Sequence, residues 1–159
     1  MAIGSDSAIH FFGTATSLEP TSGQSTVANN AFSAAGVADL DAFTNSDDAP
    51  EATFALEWQY SAGSLDAAPY VNLYAQLIAP GGLADEDPPD ADFRRHFIGQ
   101  WQFDTGAASS ADMTDTIVGI LPNTKTSQVY RFFIENQTGV TMSAGWDVVV
   151  TPRTIGPHA

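Results

Sequence analysis

Residues 85–103 read DEDPPDADFRRHFIGQWQF, and five of the first eight are acidic. Hard cations take several oxygen ligands, so Asp85, Asp87 and Asp90 are the side chains a divalent metal would use here. The run lacks the D-x-[DN]-x-[DN]-G-x5-E spacing of a calcium loop, and Pro88 and Pro89 stiffen its middle. Charge runs of this kind are usually solvated. The expectation is a connecting loop that holds no metal and no cofactor and feeds a strand.

Other candidate chemistry is equally sparse. Asp47 and Asp48 in NSDDAP suit a turn, because Asn and Asp bond to nearby backbone and the proline keeps Ala49 extended. Paired-carboxylate catalysis needs two carboxyls facing each other across a cleft, and nothing in the spacing singles out such a pair. His10, His96 and His158 stand apart, with no H-E-x-x-H arrangement for zinc. No G-x-S-x-G elbow, P-loop or dinucleotide glycine motif occurs. No catalytic residue is assigned, and the chain reads as a protein that is not an enzyme.

The elements that would carry these residues are strands. In TFALEWQY, Phe54, Leu56, Trp58 and Tyr60 share one parity, the period-2 pattern of a half-buried strand. YVNLYAQLIA repeats it with Val71, Leu73, Ala75 and Leu77 inward. FRRHFIGQWQF places Phe93, Phe97, Trp101 and Phe103 on one parity with Arg95. DTIVGILP is apolar on both parities and reads as buried on both faces. QVYRFFIENQTG, GWDVVVTP and AIHFFGTAT complete the set. Loops rich in Gly, Pro, Ser, Asn and Asp separate them.

This pattern predicts one all-β domain over residues 1–159, an antiparallel β-sandwich of jelly-roll-like kind. At most a short helix is expected, in VANNAFSAAGVADLDAF. The expected core comprises Phe54, Leu56, Trp58, Leu73, Phe97, Trp101, Phe133, Trp146 and Val148. All three tryptophans fall at burial positions, which favours packing over a sugar-binding platform. Tyr70 and Tyr74 take the opposite parity from Val71 and Leu73, and are therefore interface candidates. Residues 1–8 and 152–159 read as extended arms, and Pro152, Arg153 and Ile155 are candidates for partner contact.

Composition narrows the partners. The 159 residues include 19 Asp+Glu against 5 Lys+Arg, a formal charge of -14 that repels phosphate backbones and anionic lipid surfaces. Neither nucleic acid nor membrane is expected as a partner. Cysteine is absent, which removes disulfides and thiolate chemistry. The N-terminus lacks a basic region followed by a signal-length apolar run, so synthesis in the cytoplasm is expected.

NSDDAPEATFALEWQY, YVNLYAQLIAPGG and YRFFIENQTGVTMSAGWDVVVTPRT together resemble a group of small virion-associated proteins of tailed bacteriophages. In that group a strand ending in Val-x-Leu-Tyr-Ala precedes a Gly-rich loop, and a Gly-Trp strand runs to the C-terminus. The likeness spans residues 45–155. It implies a structural role on the virion, as a capsid decoration protein or a head or tail accessory made in the host cytoplasm. Its partner would be the major capsid protein or another virion protein, and the protein itself a homo-oligomer. The alternatives left by the residues are a carbohydrate-binding β-sandwich module and a tail or head fibre component.

Overall fold

The computed structural model describes residues 8–20, 23–33 and 40–157. These described residues form ten strands, in chain order β1 (Ala8–Phe12), β2 (Thr16–Ser17), β3 (Ala31–Phe32), β4 (Phe43–Thr44), β5 (Glu51–Trp58), β6 (Tyr70–Ile78), β7 (Phe97–Gln102), β8 (Met113–Ile120), β9 (Val129–Gln137) and β10 (Asp147–Pro157). Among the described residues the only helical piece is a 3-10 turn at Pro80–Gly82. The helix expected within 27–43 partly falls outside the described residues. Its described ends form β3 and β4 instead.

All pairings are antiparallel, in two sheets. The first has the order β1-β10-β5-β8, with β2 beside β10; the second has β3-β9-β6-β7, with β4 beside β9. They pack face to face as a sandwich. Alternation decides which side chains enter: on β5 Ala52, Phe54, Leu56 and Trp58 are buried, while on β10 Val148 and Val150 meet them. Val71, Leu73, Ala75 and Leu77 of β6 supply the opposite wall with Tyr130, Phe132 and Ile134 of β9. Phe54 and Phe132 touch edge to face at 5.1 Å across the gap. The Trp101 indole N–H, from the second sheet, donates to the Phe54 carbonyl of the first at 3.1 Å, so its one polar atom is satisfied in the core.

Three expectations are corrected. Phe97 is 56% exposed, not a core residue. Leu73 pairs with Gly99 and Tyr74 with Phe97, leaving Ile98 as the extra residue of a bulge, and this reverses the parity of β7. Ile98 is buried in place of Phe97, and Phe93 lies outside the strand, also exposed. DTIVGILP is not covered on both faces: β8 is an edge strand, and Val118 and Ile120 are 52% and 76% exposed. Residues 152–157 are no extended arm, because they form the end of β10, where 153–157 pair with β1 and the buried Pro152 stands opposite Ala52 of β5. Residues 1–7, 158 and 159 lie outside the described residues.

The β7 and β8 edges close one side of the sandwich. They do so through glycine. A methyl group on Gly99 would fall 2.7 Å from Ile117 Cδ1, and one on Gly119 would collide with Ile98 Cγ2, so only hydrogen lets the edges approach this closely.

Candidate functional site

The outer faces of the two sheets differ. On the second, β6 and β9 place Asn72 opposite Glu135, Tyr74 opposite Phe133 and Gln76 opposite Arg131. Such residues at mid-strand ordinarily meet water, yet Tyr74, Gln76, Phe133 and Glu135 are all buried. The acidic loop explains this. Where β7 runs out, the loop takes over its pairing to β6: the Ala75 N–H donates to the His96 carbonyl, and residue 86 exchanges bonds with Leu77 and Gln76. Phe32 and Phe97 flank the Tyr74 ring at 5.5 and 5.6 Å.

Arg94 of this loop reaches Glu135, donating from Nη2 to Oε1 at 2.6 Å. Asn72, the Tyr74 hydroxyl and Gln137 donate to the same carboxylate. Burial by itself would raise the Glu135 pKa; the hydrogen bonds from Arg94, Asn72 and Tyr74, with the Arg94 charge, outweigh it and bring the pKa down to about 2. The Tyr74 hydroxyl is pushed up to about 12 by burial and by its bond to that carboxylate. A second anchor joins Glu86 to His96 at 2.9 Å, with Arg95 at 3.8 Å. Burial opposes the Glu86 charge, but His96, the Leu77 N–H and Arg95 together lower its pKa. The Glu135 carboxylate is thus taken up by one loop donor, Arg94, and three donors of its own sheet, Asn72, Tyr74 and Gln137. This cluster is structural in its chemistry.

Among the described residues, the first sheet's outer face has no such cover. One row runs Phe12, Arg153, Glu51, Ile120 across four strands. Arg153 lies 3.7 Å from Glu51 and over the Phe12 ring at 5.5 Å, while its Nη2 meets His10 Nδ1 at 3.0 Å. Around this charged centre Phe12, Val118, Ile120 and Ile155 are each more than half exposed. Three outward-facing rows further along β10 and β5, Asp147 stands directly opposite Glu57. Between them is a shallow depression lined by Ala55, Thr114 and Val149.

The sequence candidates separate accordingly. Ile155 and Arg153 belong to the bare face, and Pro152 points into the core. Tyr70 is half-buried at the start of β6. Tyr74 is corrected: at 3% exposure it serves the loop contact, not a partner. Asp85 accepts from the Ala79 N–H and Asp90 from the Asp92 and Phe93 N–H groups, and Asp87 is exposed. These are turn-forming bonds. Among the described residues no three metal-binding side chains gather. Trp58, Trp101 and Trp146 are buried as expected; His158 lies outside the described residues.

Sequence reasoning passed over Phe12, Val118, Ile120 and Glu135. Glu135 had a signal. It is the lone acid in YRFFIENQ and directly follows the run FFI, apolar on both parities, where an acid requires a buried partner. No protein-family model matches the chain, and no curated protein matches it.

Proposed function

We propose that this is a non-enzymatic structural protein of the virion, a bacteriophage capsid decoration protein that attaches to the capsid lattice. The observation that carries the reading is the contrast between the two outer faces. One is sealed by the chain's own loop, and the other presents apolar side chains to solvent. Exposed apolar side chains gathered on one face, here on either side of the Arg153–Glu51 pair, suit a protein-binding surface.

The strand order supports the same reading. With each split edge counted as one strand, the first strand pairs with the last, the second with the last but one, and so on inward. We infer a jelly roll from this order, an architecture common to viral capsid proteins and lectins. A carbohydrate-binding module would need a flat row of exposed Trp or Tyr. The tryptophans here are at most 1% exposed, so no observation favours that reading.

Sedimentation of capsids from the encoding phage, stripped of accessory proteins and mixed with the purified chain, tests the proposal. Saturable co-sedimentation and a raised capsid melting temperature are expected. Failure to bind capsids, with binding to tail fibres or to a polysaccharide, overturns it.

A further inference from the structure

The docking reading above leaves open which surface binds and what it binds. Resting on that reading, we propose that the outer face of the first sheet is the docking surface. Its occupant is a different protein that presents apolar side chains beside a lysine or arginine.

The apolar requirement comes from Phe12, Ile155, Val118 and Ile120, which project from one sheet face at 52% to 76% exposure. The cation requirement comes from Glu57 and Asp147. They face each other in register, and like charges placed opposite in a ladder repel. No arginine, lysine or histidine lies within ion-pair reach of either among the described residues. Asp147 Oδ2 accepts from Ser17 Oγ at 2.7 Å, while Oδ1 has no partner. An ammonium or guanidinium group lodged over Ala55 and Val149 would donate to both carboxylates and end their repulsion.

A second copy of the chain fits poorly here. The only arginine on this face, Arg153, is already committed to Glu51, and two copies would bring -14 against -14. Self-association, where it occurs, uses another surface.

Two variants test the assignment: Val118→Glu with Ile120→Glu, and Glu57→Gln with Asp147→Asn. The altered side chains lie outside the core, so unchanged circular dichroism is expected for both. On stripped capsids each should weaken attachment about tenfold or more, the size of a hot-spot loss. The second should also flatten the dependence of binding on salt, because it removes the charge pair.

If the wild type attaches and both variants attach equally well, the lattice function stands and this face is the wrong one. A dimer in ultracentrifugation that either variant dissolves assigns the face to self-association and also overturns the proposal. If no form attaches to capsids, the lattice reading fails, and titration with butylguanidinium followed by amide NMR decides the face alone. Shifts at Ala55, Thr114 and Val149 that vanish in the Glu57/Asp147 variant support it; no shifts there overturn it.

Discussion

Glu135 shows how a single ionisable side chain fixes an otherwise exposed face. Its charge is tolerable because four side chains donate to it, and removing any of them strands a carboxylate with little access to water. The folded pKa of about 2 lies below the ordinary 4.5, so the ionised form stabilises the fold above about pH 4.5. That contribution fades as pH falls toward 2. Glu135→Gln should therefore cost about 2 kcal/mol at neutral pH, the usual worth of hydrogen bonds to a charged group. The difference from wild type should shrink as pH drops below about 4.5. Urea unfolding at a series of pH values measures it; a gap that stays constant down to pH 2 would show that the carboxylate does not carry the effect. Tyr74 sets the opposite limit. Raised from 10.0 to about 12, its protonated form adds stability that is complete below pH 10 and lost as pH rises through 12.

Among the elements, strand parity was legible where the strand is regular and central. The inward positions of β5, β6 and β10 follow directly from alternation, as does burial of all three tryptophans. The reading of β7 failed because a bulge is a pairing event: Ile98 looks ordinary in FRRHFIGQWQF, and only the partner strand reveals it as the extra residue. The reading of β8 failed because apolar residues on both parities also occur on an edge strand whose outer face meets solvent. The acidic loop was legible as a loop, but its anchors to Glu135 and Leu77 are 41 and 9 residues distant, beyond any local pattern. Gly119 offers a test at this scale. Gly119→Ala should destabilise by about 1 to 3 kcal/mol through overpacking against Ile98. Ile98→Ala in the same chain should recover part of the loss, giving a coupling in a double-mutant cycle. Additive melting shifts would mean that the edges are not in contact.

At the level of the whole molecule, the scarcity of cations takes on meaning. Of 5 Lys+Arg, Arg94, Arg95 and Arg153 are paired with Glu135, Glu86 and Glu51, so most of the positive charge serves the fold. What remains outward is strongly acidic, with one sheet face that is apolar at one end and doubly acidic at the other. Such a surface suits attachment to a partner supplying both apolar contacts and positive charge, and it discourages self-adhesion in solution. Electron cryomicroscopy of stripped capsids saturated with the purified chain tests this most directly. The expected result is a sandwich-shaped density at every equivalent lattice position, with β8 and β10 turned toward the capsid. Bare capsids at saturating protein, or density docked through the loop-covered sheet instead, would contradict it.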